Sequence, residues 1–385
     1  MPIYFDHAAT TTMVEPAIAA LTDAIKKLGN ASSLHSAGRS VRKDLEQARE
    51  QIAQAIDCAP SEVIFTATGT EANNLAIKGL YWLGVKKNKK VIITSTFEHH
   101  AVADPITWLA EHEGAQVVAI DVDRNGFVDL KQLATQVEEY KNNIALISIM
   151  HANNEVGTIQ DINQVVKIAG DIPVHSDCVQ SFGKVELSFK KLGVTAATIS
   201  AHKIGGPLGV AALILRKGLD IEPVLHGGGQ ERDLRSGTFN APGIISFAAA
   251  AANAIDNRKE RELKIRELKS ELIQTIKKNI SDAWVNGDQA KSLPGIVSIT
   301  FPKTDSEGLL LLLDGEGIAC STGSACSAGV QRPSHVLMAM GLTEDETTST
   351  LRFSLSYSNT INEIAKLGAV IATVVARSKA ASGKK

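Results

Sequence analysis

One lysine and one aspartate have positions suited to chemistry on a heterocyclic cofactor. The lysine amine could form an imine with a carbonyl group, and the aspartate could pair with a ring nitrogen. Lys203 follows the apolar run 196–201 and precedes two glycines in the sequence TISAHKIGGPLG. A partly desolvated lysine of this kind can form a Schiff base, although a lysine in a glycine-rich loop is more often a surface cation. Asp177 ends the apolar run 172–177, so its carboxylate could keep a pyridinium nitrogen protonated or could simply cap a helix. Together the two residues are compatible with imine chemistry on a pyridine ring, and the surface cation and the helix cap remain the alternatives.

Further polar side chains could bind a phosphate and move protons. The segment IFTATGTEANNLAI is typical of a strand, a turn and the start of a helix, with Gly69 and Thr70 at the turn. Backbone amides at a helix N-terminus bind anions, and an ordinary capping box is the other interpretation of the same residues. His99 follows the apolar run VIITS and could stack on a ring and transfer protons, whereas the adjacent His100 is the weaker candidate. Gln180, in HSDCVQ, could hydrogen-bond a ring oxygen.

Four cysteines are present, and they differ in their expected exposure. Cys326 lies in STGSACSAG, where glycines and small side chains favour the exposed, mobile loop that a nucleophilic thiolate requires. Cys320 ends an apolar stretch and is expected to be buried and inert, Cys58 follows an amphipathic helix, and Cys178 adjoins the aspartate with no obvious reach. Because no CxxC pair occurs and four cysteines cannot build a disulfide framework, we expect free thiols in a reducing compartment.

The elements that position these residues alternate between helices and buried strands. Apolar residues recur at helical spacing over 37–56, which predicts an amphipathic helix. Short apolar runs follow at 91–95, 117–122, 144–150, 172–177, 196–201 and 209–216. Strands without polar alternation, placed between helices, predict a mostly parallel central sheet covered by helices on both faces. Ligands of such sheets bind beyond the carboxyl ends of the strands, where Asp177 and Lys203 are expected to lie.

The chain of 385 residues, 44% of them hydrophobic, is long enough for two domains with buried cores. After Pro242 a long charged helix leads to a strand, a helix, the cysteine loop, a second strand and a last helix, which predicts a smaller α+β domain. We expect residues 1–15 to form an N-terminal segment that packs with the small domain. Residues 16–255 are expected to form the large domain, and residues 256–385 the small domain that carries Cys326.

Composition excludes some classes of function. The net charge does not favour nucleic-acid binding, because 40 lysines and arginines nearly balance 42 aspartates and glutamates. The first residues lack the charged start and apolar run of a secretory signal, and no apolar stretch reaches membrane-spanning length. We therefore expect a cytoplasmic enzyme that binds neither a membrane nor, directly, a nucleic acid.

The order and wording of the motifs resemble one family, the NifS/IscS-type cysteine desulfurases of the class V aminotransferases. The match runs through DHAATTT, TGTEANN, EHHAV, HANNEVG, HSDCVQSFGK, SAHKIGGPLG, GGGQERDLRSGTFN, STGSACS and LRFSLS, and it covers nearly the whole chain. Each motif is weak alone, but the ordered set is highly specific. The resemblance implies the α/β fold type I of enzymes that use pyridoxal 5'-phosphate (PLP). It also implies conversion of L-cysteine to L-alanine, with the sulfur transferred as a persulfide.

The resemblance also implies a role for each matching residue. Lys203 forms the Schiff base with PLP, Asp177 pairs with the pyridine nitrogen, and His99 stacks on the ring and shares proton transfer with the lysine. Gln180 and Asn154 lie near the ring oxygen. The phosphate is held by Gly69, Thr70, Ser200 and His202, and by Thr238 of the neighbouring subunit of a homodimer.

Substrate and sulfur are handled by three further groups in the resemblance. Arg352, in LRFSLS, receives the substrate carboxylate beside Asn154, which suits a bidentate guanidinium, and a structural salt bridge is the alternative for this arginine. Cys326 receives the sulfur and passes it to an iron–sulfur scaffold or a tRNA-thiolation protein. The resemblance implies no intrinsic metal, although the Cys326 thiolate can contact a nascent cluster. Cys178 stands where the family usually has alanine, and its role is left open.

Two other functions compete with this interpretation. A PLP-dependent lyase or aminotransferase of the same fold would act on another amino acid, and Cys326 would then be incidental. A non-catalytic sulfur-carrier or scaffold subunit would keep the fold without binding PLP. The complete set of cofactor residues favours the enzyme over the carrier.

Overall fold

The computed structural model of the chain describes residues 2–323 and 333–383. Strands β1 to β8 are Ile3–Tyr4, Val63–Thr66, Val91–Ser95, Gln116–Ile120, Ile144–Ser148, Val174–Asp177, Ala196–Ser200 and Ala211–Leu215. Helices α1 to α8 are Glu15–Ala24, Ser36–Ile56, Gly69–Val85, His100–Glu113, Leu130–Tyr140, Ile162–Ala169, Phe189–Leu192 and Ala241–Asp256.

The central sheet contains seven of the strands described so far, in the order β2-β8-β7-β6-β5-β3-β4. All pairings are parallel except those of β8, which runs antiparallel to both of its neighbours. Every residue of β3, β5, β7 and β8 is buried, because helices cover the sheet and leave no face for polar alternation. The prediction of a mostly parallel sheet flanked by helices is confirmed.

Helix α2 shows how the apolar pattern becomes packing. Its buried side chains include Val41, Leu45 and Ile52, which share one face at the helical period. The helix ends at Asp57, whose backbone adopts the left-handed conformation that closes many helices. The apolar face packs against α8, and α8 in turn packs against α1. The predicted amphipathic helix over 37–56 is therefore present and supports the large core.

The remaining elements follow α8. Helices α9 to α13 are Arg258–Asn279, Ser306–Gly315, His335–Ala339, Glu344–Thr347 and Ile361–Ser382. Strands β9 to β12 are Trp284–Asn286, Ile296–Thr300, Ile318–Ala319 and Thr350–Ser354. Strands β12, β10 and β9 form an antiparallel sheet in that order, and β1 pairs in parallel with β11.

A second hydrophobic core fills the space between this smaller sheet and α9, α10 and α13. It includes Phe301 and Phe353 together with Ile3 and Phe5 from the N-terminus, so the start of the chain packs with the last third. Helix α11 does not belong to this core, since Val336 and Leu337 pack within the large one. No helix in the described part of the chain is both long and apolar enough to span a bilayer.

Candidate active site

One cavity of about 420 Å³ opens at the carboxyl ends of β6 and β7, and we call it the strand-end cavity. Its lining includes the predicted site residues Gly69, Thr70, His99, Asn154, Asp177, Gln180, Ser200, His202, Lys203 and Arg352. The structure therefore brings together every predicted site residue that it describes, except Thr238. This position at the strand ends is where the sheet topology leads one to expect a ligand.

Asp177 ends β6 and is buried with both carboxylate oxygens engaged. Its Oδ2 accepts a hydrogen bond of 2.7 Å from Nδ2 of Asn73, and its Oδ1 accepts one of 2.9 Å from the backbone amide of Val179. Sequence reasoning missed Asn73, although the motif TGTEANN contains it between residues that face the core. The two donors fix the carboxylate in one orientation toward the cavity, as a partner for a cationic ring nitrogen must be.

Lys203 lies in a single 3₁₀ turn, Ala201–Ile204, directly after β7. The turn ends at Gly205, where φ is +80°, a conformation that favours glycine. The Lys203 Nζ donates hydrogen bonds of 2.6 Å and 2.7 Å to the carbonyl oxygens of Ala8 and Ala9. The N-terminal segment thus holds the amine at the wall of the strand-end cavity.

His99 and His202 flank the cavity with imidazoles that resist protonation. Burial is the main cause that lowers the pKa of His99, and nearby Lys203 adds to it while Asp177 opposes it. The His99 Nδ1 accepts a hydrogen bond of 3.0 Å from the amide of Ala101 at the start of α4, so the proton of the neutral ring lies on Nε2. Burial also lowers the pKa of His202 to about 4. Both rings are therefore neutral at pH 7.

The N-terminus of α3 faces the same cavity. Thr68 caps the helix, since its hydroxyl accepts a hydrogen bond of 3.0 Å from the amide of Glu71, and the Glu71 carboxylate accepts one of 2.8 Å from the amide of Ala67. Thr68 is therefore the N-cap, but the Glu71 carboxylate bonds to the amide of Ala67 rather than to that of Thr68, so the full capping box predicted as the alternative is not formed. This cap remains compatible with an anion because it leaves other first-turn amides without helical partners. A Cβ added at Gly69 would stand 3.1 Å from the Val179 side chain, so the close packing of the start of α3 against Val179 favours glycine here.

Gln180 is held by a lysine that sequence reasoning missed. The Lys184 Nζ donates a hydrogen bond of 3.0 Å to Oε1 of Gln180, and Nε2 of Gln180 donates one of 2.9 Å to the carbonyl oxygen of Ala8. Burial lowers the pKa of Lys184 to about 7, with Lys203 and Arg352 acting in the same sense. The spacing of four residues between Gln180 and Lys184 is the one sequence signal that could have linked them.

Arg352, on β12, bridges the two cores at the edge of the cavity. Its Nη2 donates a hydrogen bond of 2.8 Å to Asp6, and its Nη1 donates one of 2.9 Å to the carbonyl oxygen of Asn154. The structural salt bridge is thus present in addition to the cavity position. Within the described chain, two buried polar atoms here have no partner, namely Nε of Arg352 and Oδ1 of Asn154. Because buried polar atoms in native proteins nearly always have a partner, these two are candidates for contacts with a molecule bound in the cavity.

Two predicted residues lie elsewhere. Thr238 is exposed beside a separate depression that also contains Leu28 and His35, so it does not meet Lys203 within one chain. Cys326 falls in the segment 324–332, outside the described residues.

The other three cysteines are buried with free thiols. Burial raises the pKa of Cys58, Cys178 and Cys320 to about 12. At neutral pH these thiols stay protonated and are poor nucleophiles.

The chemistry of the strand-end cavity fits PLP. An oriented carboxylate at one wall, an amine at another and the start of a helix at a third match the ring nitrogen, the aldehyde and the phosphate of that cofactor. The unpartnered Nε of Arg352 and Oδ1 of Asn154 remain for a polar group of a substrate beside it. The residues present can therefore bind both a cofactor and an amino acid.

The chain is similar to known proteins over nearly its whole length. The sequence profile of the family described as aminotransferase class-V matches residues 3–367. An IscS-like cysteine desulfurase of Mycobacterium tuberculosis is 43% identical over 384 residues, covering 98% of each chain. A solved structure described as a NifS-like protein has a TM-score of 0.91 and 36% identity, and covers 98% of this chain and 100% of its own. Another, described as SspA in complex with cysteine, has a TM-score of 0.80 and 31% identity, and covers 93% and 100%.

Proposed function

Because this chain belongs to the class-V aminotransferase family, we propose that it is a PLP-dependent cysteine desulfurase. In this proposal it converts L-cysteine to L-alanine and takes the sulfur as a persulfide on Cys326. The observation that carries the proposal is the strand-end cavity, whose lining contains Lys203, Asp177 and Arg352. These groups provide an amine for the cofactor aldehyde, a partner for its ring nitrogen and a receptor for a substrate carboxylate.

The protein's own groups account for binding and proton transfer. PLP, when bound, supplies the electron sink that weakens the carbon–sulfur bond of the substrate. Asp177, oriented by Asn73, would pair with the ring nitrogen of bound PLP and keep it protonated. Arg352 receives the substrate carboxylate while Asp6 holds its guanidinium in place. Neutral His99 accepts and returns a proton, together with the Lys203 amine.

The sulfur transfer balances without an external oxidant. The Cys326 thiolate attacks the substrate sulfur, a sulfur–sulfur bond forms and the carbon–sulfur bond breaks. The electron pair of the broken bond stays with the carbon skeleton, which takes up protons and leaves as L-alanine. The net reaction converts L-cysteine and the Cys326 thiol to L-alanine and a Cys326 persulfide. An iron–sulfur scaffold or a tRNA-thiolation protein would then accept the sulfur.

A homodimer completes the proposal. Thr238 lies away from the strand-end cavity of its own chain, at a depression that also contains the strongly exposed Leu28. Leu34, in the same connection between α1 and α2 as Leu28, is also strongly exposed. Large apolar side chains at such exposure favour an interface with another protein surface. A second copy covering this surface would bring Thr238 toward the phosphate of its partner's cofactor.

The decisive experiment compares wild type with Cys326→Ser, using Cys178→Ala as the matched cysteine control. We expect the visible absorption of bound PLP in all three proteins. With L-cysteine and a reductant, wild type and Cys178→Ala should release alanine at similar rates, since the buried Cys178 thiol is inert. Cys326→Ser should release almost none.

Other outcomes would point to the competing functions. Equal alanine release from Cys326→Ser would contradict persulfide formation on Cys326 and favour another PLP-dependent lyase. Formation of 3-mercaptopyruvate that depends on an added keto acid as amino acceptor would favour an aminotransferase. Absence of the PLP band from wild type would overturn the cofactor assignment and favour a carrier subunit.

A further inference from the structure

The turn that follows β5 presents two neighbouring side chains to two different places. Asn153 fixes this turn, because its Oδ1 accepts hydrogen bonds from the amides of Glu155, at 2.8 Å, and Val156, at 3.0 Å. Its Nδ2 donates one of 3.2 Å to the carbonyl oxygen of Phe97. Asn154 then lines the strand-end cavity, whereas the next residue directs its carboxylate toward the start of α11. The position of the Glu155 side chain is therefore fixed relative to the cavity.

The Glu155 carboxylate is buried, with 4% of the residue exposed, and it contacts Ser334. The Ser334 hydroxyl donates a hydrogen bond of 2.6 Å to Oε2 of Glu155 and accepts one of 3.2 Å from the amide of Leu337. Ser334 thus caps α11 and joins that cap to the carboxylate. Glu155 fixes the point at which the chain enters α11.

The same carboxylate oxygen lies against the backbone of Gly323. A Cβ added to this glycine, whose φ is +82°, would stand 2.9 Å from Oε2 of Glu155. Gly323 itself lines the strand-end cavity, and its amide donates a hydrogen bond of 3.3 Å to the Ser321 hydroxyl. Ser321 exchanges backbone hydrogen bonds of 2.7 Å and 3.1 Å with Arg352. Gly323 is thereby connected to the proposed receptor of the substrate carboxylate.

Gly323 and Ser334 are the described residues that flank the segment carrying Cys326, apart from Pro333. The chain before the segment is tied to β12 of the small core, and the chain after it enters α11 of the large core. We propose that Glu155 is a positioning residue, which holds Gly323 and Ser334 in place relative to Asn154 and Arg352, and that sulfur transfer to Cys326 depends on this arrangement. This inference rests on the proposed function for the identity of Cys326 as the sulfur acceptor.

The contact with Ser334 requires a hydrogen-bond acceptor at residue 155, which an uncharged side chain can also supply. Burial raises the pKa of Glu155, whereas the Ser334 hydrogen bond, His335, Arg352 and His100 act in the opposite sense. A glutamine offers an amide oxygen at the same place and of the same size. Glu155→Gln is therefore the conservative variant, and Glu155→Ala removes the acceptor.

The test combines kinetics with hydrogen exchange on PLP-loaded protein. In Glu155→Ala, we expect persulfide formation on Cys326 to fall about tenfold, while KM for L-cysteine and the PLP absorption band change less than about twofold. Glu155→Gln should keep at least about half of the wild-type rate. Amides at the start of α11 should exchange faster in Glu155→Ala and Ser334→Ala, but not in Glu155→Gln. The exposed Glu139→Ala serves as the matched control and should match wild type in both assays.

A second pair of variants tests the contact with Gly323 separately. Gly323→Ala should slow persulfide formation, because its Cβ meets the Glu155 carboxylate. The same substitution should cost less when made in Glu155→Ala, since the colliding atom is then absent.

Three results would overturn the inference. The first is hydrogen exchange at the start of α11 that is unchanged in both Glu155→Ala and Ser334→Ala. The second is a rise in KM in Glu155→Ala that is as large as the fall in kcat. The third is that the effects of Gly323→Ala and Glu155→Ala on persulfide formation are additive. Failure of the proposed function looks different, since wild type itself would then form no persulfide while the exchange data would still report on the Glu155–Ser334 contact. If Glu155→Ala does not fold, Ser334→Ala tests the same contact alone.

Discussion

Asn73 is the side chain that orients Asp177 most directly. Its side-chain amide donates a hydrogen bond of 2.7 Å to the buried Asp177 carboxylate. Loss of the donor to a buried acceptor destabilises the folded arrangement, because the acceptor is then left without a hydrogen bond. We predict that Asn73→Ala lets the carboxylate reorient and weakens PLP binding about tenfold, or by about 1.4 kcal/mol. Release of PLP during dialysis, followed by visible absorption, measures this change.

The neighbouring asparagine provides the control for that experiment. Asn74 is half-buried in the same helix, and its side chain donates a hydrogen bond of 3.0 Å to the carbonyl oxygen of Thr70. Asn74→Ala should retain PLP nearly as well as wild type. Equal PLP loss from both variants would mean that α3 as a whole is disturbed and that Asp177 does not depend on Asn73.

At the residue scale, the position of a side chain in the site can be predicted from the sequence when it lies at or just after the end of a recognisable apolar run. Asp177 and Lys203 each follow a strand-like segment, so their place at the sheet edge could be inferred. Asn73 could not be linked to Asp177, because the two residues are 104 positions apart and only the fold brings them together. Lys184 shows the same limit, since the burial that lowers its pKa arises from the folded chain.

At the scale of elements, a buried ion pair ties α2 to the segment that carries Thr238. The Arg49 guanidinium donates two hydrogen bonds, of 2.9 Å and 3.0 Å, to the carboxylate of Glu231. Arg49→Ala removes the direct ion-pair partner of the buried Glu231 carboxylate, so it should lower the free energy of unfolding by about 3–5 kcal/mol. Urea denaturation of the purified protein measures this loss.

Two further variants make the ion-pair experiment specific. The double substitution Arg49→Met with Glu231→Leu removes both charges and should destabilise less than Arg49→Ala does. Arg42 pairs with Glu46 on the exposed face of the same helix, and Arg42→Ala should change stability by only about 0.5 kcal/mol. A double variant no more stable than Arg49→Ala would show that packing, rather than the lone Glu231 charge, causes the loss.

Strand existence could be predicted from the sequence, but strand direction and strand ends could not. The run 209–216 is as apolar as its neighbours because β8 is equally buried, so nothing in the pattern reveals that β8 runs antiparallel. The run 144–150 continues past the end of β5 at Ser148, because Ile149 and Met150 are still buried in the turn that leads to Asn153. Burial sets the pattern, and hydrogen-bond pairing sets the ends.

At the scale of the whole molecule, several buried histidines make stability depend on pH. Burial lowers the pKa of His7, His151 and His175 to about 4. In the unfolded chain the pKa of histidine is near 6.5, so the unfolded state binds more protons as the pH falls from about 6.5 to 4. The stability contributed by these neutral rings is therefore present above about pH 6.5 and is lost below it. Glu98 acts in the opposite sense, since burial raises its pKa to about 8.

His175→Gln isolates one of these contributions. His175 is fully buried between Ser148 and Thr198, which hydrogen-bond to its two nitrogens. Between pH 7 and pH 5, we predict that wild type loses more stability than His175→Gln by an amount on the order of 1–2 kcal/mol, measured by urea denaturation at each pH. The exposed His226→Gln should follow the wild-type pH dependence. Parallel curves for wild type and His175→Gln would contradict the prediction.

The exposed leucines between α1 and α2 make the proposed dimer testable. Leu28 is 90% exposed and Leu34 is 89% exposed, whereas the core of each chain is already complete without them. A charge at position 34 would have to be desolvated in an interface but costs nothing on a free surface, so Leu34→Glu should convert a dimer to a monomer in light scattering. PLP should then dissociate faster, because Thr238 no longer reaches the partner's phosphate. Leu311→Glu, at an exposed leucine of α10, should stay dimeric and keep its PLP. If Leu34→Glu is monomeric but retains PLP as well as wild type does, the dimer interface would not contribute to PLP binding. Each strand-end cavity would then be complete within one chain.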